Sequence, residues 1–289
     1  MKNKIILGSA NFNQTYGVKK NFIKKDEIKR LFKIAQKNRI KTIDTSPLYK
    51  NSEKIIGLLN KNKFKVVSKI PKRPKKIKKK NIKKWVKKSV MISLKNLKIK
   101  KFEYLLLHDA NSLLGLYGNE IYEGIKNMKI DGLTNKIGIS IYDFDTLEEI
   151  LKKFKFDIVQ APLNILDRRL IEEGWLKKLK KKKIEVHARS IFLQGTLLLK
   201  RNQLPNAVKK FNKDWIKWEK WLKKNKLNPL EASFSYILNQ KKLDGIVLGS
   251  NSKHQLKQIL KIKKIKKNIS TADLIVSNKN IKDPRKWIN

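Results

Sequence analysis

The stretch KTIDTSPLYKNSEKIIGLLNKNKFKVVSKI, residues 41–70, contains one complete strand–helix–strand unit. A β-branched run, KTIDTS (41–46), ends in turn residues, and the amphipathic segment NSEKIIGLLNK (51–61) follows it. A second β-branched run, KVVSKI (65–70), closes the unit. Short apolar runs punctuated by turns and separated by a helical period are the pattern of a βαβ unit, which feeds a parallel sheet. Working outward, the alternation recurs. Further strand candidates are KIILGS (4–9), EYLLLH (103–108), KIGIS (136–140), DIVQAP (157–162), EVHARS (185–190) and GIVLGS (245–250), eight in all. Helical segments KKDEIKRLFKIAQKN (24–38), NIKKWVKKSVMISLKNL (81–97), GNEIYEGIKNMKIDG (118–132), DFDTLEEILKKF (143–154) and RRLIEEGWLKKLKKK (168–182) fill most intervals, and residues 191–244 have room for two helices and a loop. Eight such strands without a break in composition predict an α/β fold, one (β/α)8 TIM barrel over residues 1–289 with a helical C-terminal extension.

Composition agrees with that size: 289 residues, 40% of them hydrophobic, can bury a sizeable core. The chain has no cysteine, which excludes disulfides and thiolate metal sites. His108, His187 and His254 lie too far apart in sequence to form a local ligand pair, so no metal centre is expected; His187 reads as packing inside strand seven and His254 as a helix-surface residue. The apolar run in MKNKIILGSANF is shorter than a signal peptide requires, and no span reaches transmembrane length. The expectation is a soluble cytoplasmic protein with no membrane partner.

A formal charge of +47 invites a nucleic-acid reading, because neutralising phosphates needs many basic residues. The pattern argues against it. Lysine is spread over nearly every helical segment, as in PKRPKKIKKKNIKKWVKK (71–88), instead of being gathered with arginine and aromatics on one element. A lysine-biased composition accounts for this, and no specific nucleic-acid partner is expected. The trio Trp215, Trp218 and Trp221 has helical spacing and reads as core or lid.

In a TIM barrel, function sits at the C-terminal strand ends. Asp44, Lys69, His108, Ser140, Gln160 and Ser190 all fall at or near those ends, and Tyr49 follows in the loop after strand two. Each has a bland explanation taken singly: Asp44 as a helix cap, Lys69 as one more surface lysine, His108 as a satisfied core histidine. Their common placement on one face favours a site.

With these residues in place, the chain resembles the aldo-keto reductase superfamily from LGSANFNQTYGV to GSNSKHQLKQIL. IDTSPLYKNSEKIIG (43–57) is similar to the family signature, with Lys50 where a glycine usually follows the tyrosine. The resemblance implies a catalytic set of Asp44, Tyr49, Lys69 and His108. KIGISIYD, IVQAPLNILDRRL and RSIFLQGTLLL resemble a bacterial branch found in surface-sugar and nucleotide-sugar pathways. The implied activity is reduction of an aldehyde or ketone, sugar-derived among the options, to an alcohol. A carbonyl accepting hydride becomes alkoxide-like, and a phenol is a reluctant acid at neutral pH. Lys69 near Tyr49 would favour the phenolate, Asp44 would hold Lys69, and His108 would orient the carbonyl.

No side chain donates hydride, so a cofactor is required. A G-x-G-x-x-G after a strand is missing, which counts against a Rossmann site. The resemblance implies NADPH, with NADH as the alternative, lying across the barrel mouth. Ser140 and Gln160 would hold the nicotinamide amide, although Ile141 stands where relatives carry asparagine. Ser190 would lie beneath the cofactor, and Arg189 replaces the aromatic that stacks on nicotinamide in many relatives. GSNSKHQLKQ (249–258) would meet the phosphates and adenosine through Gly249, Ser250, Ser252, Gln255 and Gln258, with backbone N–H groups as an anion site. Lys253 and Lys257 would take the place of an arginine clasp for the 2′-phosphate. Asn11, Phe12, Tyr16 and Phe192, with Gln194, are the expected substrate-pocket residues for a small-molecule carbonyl substrate. Two rivals stay open: a non-redox lyase or isomerase using Lys69 as a Schiff-base amine, and a basic nucleic-acid-binding protein on this scaffold.

Overall fold

The computed structural model describes residues 4–12, 17, 22–262, 270–276 and 278–287. The eight β-branched runs pair in sequence order as β1 (Ile5–Gly8), β2 (Thr42–Asp44), β3 (Lys65–Ile70), β4 (Phe102–Leu107), β5 (Thr134–Ser140), β6 (Ile158–Pro162), β7 (Glu185–Arg189) and β8 (Gly245–Gly249). Every pair is parallel, and β8 returns to β1, closing the TIM barrel. Because neighbours lie side by side in register, Gly8 opposite Asp44 and Ser140 opposite Gln160, polar residues at the strand ends converge on one mouth. Inside the barrel, Val67, Leu106 and Ile158 form an apolar plug against Tyr104. The buried ring of His187 meets Tyr104 edge-on with centroids 4.9 Å apart, so its expected packing role holds.

The helices ring the sheet because each carries one apolar stripe. In α1 (Lys25–Lys37), Ile28, Leu31, Phe32 and Ala35 repeat at the helical period and are buried, while the lysines between them face water. Fully burying an Ile, Leu or Phe contributes about 1.5–3 kcal/mol, so such a stripe outweighs the weak helix propensity around it. The next helix, α2 (Ser52–Leu59), packs on α3 (Ile82–Leu97) through Gly57, where an added Cβ would lie 2.1 Å from the carbonyl oxygen of Asn96. No other residue fits there. Asn60 Nδ2 donates to Phe64 O at 3.1 Å and its Oδ1 accepts from Phe64 N at 2.8 Å, which turns the chain into β3.

Two expectations are corrected. After α4 (Gly118–Ile130) and α5 (Leu147–Lys153), the segment 168–182 is two helices, α6 (Arg169–Glu172) and α7 (Trp175–Lys181), broken where Gly174 adopts φ 73°. Residues 191–244 hold three helices, α8 (Asn206–Lys209), α9 (Asn212–Asn225) and α10 (Pro229–Leu238), not two. Beyond α11 (Lys253–Lys261), the described part of the C-terminal extension is made of short 3-10 turns such as Pro284–Lys286. Trp215, Trp218 and Trp221 of α9 pack with Trp287 in a second apolar cluster, which docks this tail against the barrel. Among the described residues, no helix is long and apolar enough to cross a membrane.

Candidate active site

Three strand ends and one loop assemble the catalytic group. Asp44 ends β2, Lys69 is the penultimate residue of β3, and His108 directly follows β4, its backbone N–H still donating to Ile70 O at 2.9 Å. Tyr49 is set by two turns: its N–H donates to Ser46 O at 3.0 Å, and its carbonyl accepts from Ser52 N at 2.8 Å. Lys50, the departure noted in the sequence, has φ 42°, the left-handed backbone that glycine adopts freely and a lysine adopts at a cost.

The electrostatic centre is a buried ion pair. Lys69 Nζ donates to Asp44 Oδ1 at 2.7 Å and to Thr45 O at 3.0 Å, while Gln160 Nε2 donates to Asp44 Oδ2 at 2.8 Å. Both partners are almost fully buried. Burial pulls the Lys69 pKa below the usual lysine range, and the Asp44 carboxylate opposes that pull. The ammonium lies 5.5 Å from the Tyr49 ring centroid. His108 meets the same ring edge-on, with centroids 6.1 Å apart and an interplanar angle of 87°. Burial first, then the charges of Lys69 and Arg189, push His108 down to about 3, so its imidazole is neutral at pH 7.

Ser46, which the sequence reading passed over, holds the His108 ring in place. Its hydroxyl lies 3.1 Å from His108 Nδ1 and accepts from Leu48 N at 3.2 Å. A hydroxyl carries one proton and two lone pairs, so beside the Leu48 amide it can meet Nδ1 in either tautomer, and the contact fixes the orientation of the ring. No motif at the sequence level gave that signal, because the partner lies on another strand.

A cavity of about 600 Å³ opens over these groups. Of the residues the sequence singled out for cofactor and substrate, Ser140, Gln160, Ser190, Gly249, Ser252, Gln255, Gln258, Asn11, Phe192 and Gln194 line it. Two expected residues do not join them. Phe12 is fully buried with its ring centroid 6.0 Å from that of Phe32, because the apolar cluster behind α1 claims it. Ser250 is buried and spends its hydroxyl on Ser252 O at 3.0 Å. Tyr16 lies outside the described residues. In exchange, the cavity gains Tyr142, Asn251 and His254, the last of which the sequence reading left on a helix surface.

The nicotinamide end of a dinucleotide fits what is present. Gln160 must turn its amide nitrogen to the Asp44 carboxylate, which leaves its buried Oε1 without a hydrogen-bond partner among the described residues. That acceptor and the Ser140 hydroxyl opposite it are the complement of a carboxamide. The phosphate end is less open than expected. In the first turn of α11, Gln255 N donates to Ser252 Oγ at 3.1 Å and Lys253 N to Glu27 Oε1 at 2.5 Å. A carboxylate thus already sits at the helix N-terminus, and that N–H holds Glu27 below the usual carboxylate range.

The profile of the aldo/keto reductase family matches residues 4–278. Among solved structures, the chain is similar to an aldo-keto reductase from Bacillus halodurans in its holo form, with 19% identity, TM-score 0.70, and 91% of this chain and 88% of that one covered. It is also similar to a glycerol dehydrogenase from Gluconobacter oxydans, with 19% identity, TM-score 0.68, and coverage of 90% and 86%. At such identities the likeness speaks for the fold. No curated protein matches the sequence.

Proposed function

This chain belongs to the aldo/keto reductase family, oxidoreductases that act on carbonyl compounds with nicotinamide cofactors, and from that premise we propose that its cavity reduces an aldehyde or ketone to the alcohol, with NADPH as reductant and Tyr49 as proton donor. The observation that carries the reading is the buried Asp44–Lys69 pair set beneath Tyr49, with a neutral His108 beside it. Any buried lysine needs such partners; what favours a catalytic role for this one is that it lines the cavity together with Tyr49 and His108.

The bound cofactor supplies hydride to the carbonyl carbon. His108 donates its Nε2–H to the carbonyl oxygen and polarises it. Negative charge then builds on that oxygen, and Tyr49 gives up its phenolic proton to it. Lys69, held in place by Asp44 and Thr45 O, stabilises the phenolate left behind, the arrangement that makes a positioned acid worth about 10²- to 10⁴-fold in rate. Ser140 and the free Oε1 of Gln160 would hold the carboxamide, and Ser190, Gly249, Ser252, Gln255 and Gln258 would contact the rest of the cofactor. Lys253 and Lys257 favour NADPH over NADH as point charges without an arginine fork, so the preference is within about tenfold per contact.

The Schiff-base reading fits less well. An amine 2% exposed and donating to two oxygens has neither the access nor the lone pair that attack on a carbonyl requires. The test is oxidation of NADPH by the purified protein over a panel of aldehydes and keto-sugars, with borohydride trapping in parallel. Carbonyl-dependent NADPH oxidation is expected. A covalent adduct on Lys69 without NADPH oxidation would overturn the reading.

A further inference from the structure

Arg189 ends β7 and lines the catalytic cavity. Its guanidinium reaches past the end of β6 to donate to Ile141 O at 2.6 Å and to Ser190 Oγ at 3.1 Å, and it lies 3.8 Å from the centroid of the Tyr142 ring. These contacts fix its plane and supply no negative charge. Among the described residues no carboxylate pairs with it. The contrast with its neighbour is informative: Arg285, 4.1 Å from the same ring, is held by Asp283 through Nε at 2.9 Å and Nη2 at 2.6 Å. Lys69, the other lysine or arginine among the described residues lining the cavity, is neutralised by Asp44 at 2.7 Å. One charge is therefore left over, half-buried, aimed into the cavity and with donors to spare among its five N–H groups.

We propose that Arg189 anchors an oxyanion on the substrate, so that the carbonyl compound taken by this site carries a carboxylate or a phosphate. The proposal rests on the reductase reading and narrows its substrate class. A planar guanidinium clamped against an aromatic ring loses little freedom when it binds an oxyanion, and a carboxylate or a phosphate can each accept two parallel N–H bonds from it. Its charge already disfavours the protonated forms of His108 and Lys69, a repulsion that a bound anion would relieve.

The experiment compares matched aldehydes, 4-carboxybenzaldehyde against benzaldehyde and glyceraldehyde 3-phosphate against glyceraldehyde, with native protein, Arg189→Gln and Arg189→Lys. The reading is the ratio of kcat/KM for the anionic member to that for the neutral one. Loss of a charge-assisted contact should cut that ratio about ten- to a hundredfold in Arg189→Gln for at least one pair, and Arg189→Lys should recover part of it. The pair that responds tells carboxylate from phosphate. A ratio within twofold of native in both pairs overturns the proposal, including the case in which NADPH affinity falls instead and Arg189 proves to touch the cofactor. If native protein reduces neither member of either pair, the reductase reading fails; equilibrium binding of 4-carboxybenzaldehyde against benzaldehyde then decides the anion site, with equal affinities overturning it.

Discussion

Replacing Asp44 by Asn removes one charge from the buried pair and almost no volume. The amide can still accept from Lys69 through its oxygen and offer its NH2 to Gln160, whose unpartnered Oε1 is available once that side chain flips. The perturbation is therefore electrostatic. Stripping one partner from a buried ion pair costs about 3–5 kcal/mol. The variant can escape part of this by discharging Lys69, and that route has its own cost. A solvated lysine ionises near pH 10.4, so holding it neutral at pH 7.5 costs about 2.9 units at 1.36 kcal/mol each, roughly 4 kcal/mol, against about 1 kcal/mol at pH 9.5. The sign follows from proton uptake: a lysine whose folded pKa is depressed, as burial already makes Lys69, leaves the unfolded chain holding the extra proton, so stability rises with pH. The deficit of Asp44→Asn relative to native should thus be about 3–4 kcal/mol at pH 7.5 and fall to about 1 kcal/mol at pH 9.5, read from urea denaturation at the two values. Adding Lys69→Met should recover stability, because no cation is then left unpaired. A deficit below 1 kcal/mol at pH 7.5, or one that does not change with pH, would refute the reasoning.

Three further predictions concern the surroundings of that pair. Burial holds His108 at about 3 and His187 at about 4, so neither ring should show an NMR titration between pH 5 and 8; stability, full above about pH 6.5 where a free histidine is neutral, should decline as pH falls from there toward 4, and an inflection of either ring near 6.5 would contradict the assignment. Ser46→Ala removes the hydrogen bond that orients the His108 ring, worth about 0.5–1.5 kcal/mol, and should lower kcat about two- to tenfold with little change in cofactor affinity; unchanged kcat would show that the serine does not position the ring. Lys50→Gly relieves a left-handed backbone and should stabilise the fold by about 0.5–1 kcal/mol after the extra unfolded-state entropy of glycine is subtracted, measured as a shift in the urea midpoint.

The barrel was legible because its signal is periodic and local. Each β-branched run and each apolar helical stripe can be read within about ten residues, and the eight strands fall where those runs predict, within two residues at either end. What failed to show is non-local or conformational. Gly174 breaks a helix by a φ value, and nothing distinguishes it beforehand from a glycine tolerated in a helix interior. Phe12 looked like a pocket residue from its place in the first loop, whereas the apolar space behind α1 takes it inward. Ser46 and Tyr142 reach their partners across strands, so their places in the site follow from closure of the barrel. Asp44, Lys69 and His108 were found by a positional rule of the fold, and Tyr49 by family resemblance. The capping of α11 by Glu27 spans most of the chain length and left no trace in either.

The central claim is that Tyr49 protonates a carbonyl as hydride arrives from a nicotinamide. The measurement that tests it most directly is single-turnover transfer from NADPH carrying two deuterons at C4 to an aldehyde that native protein accepts, run in parallel with Tyr49→Phe and followed by mass spectrometry of the alcohol and by a cofactor binding titration. The account predicts deuterium on the former carbonyl carbon in the native reaction, a loss of about 10²- to 10⁴-fold in rate for Tyr49→Phe, and nearly unchanged NADPH affinity in that variant. An alcohol without deuterium, or a Tyr49→Phe variant that turns over at the native rate, would contradict it.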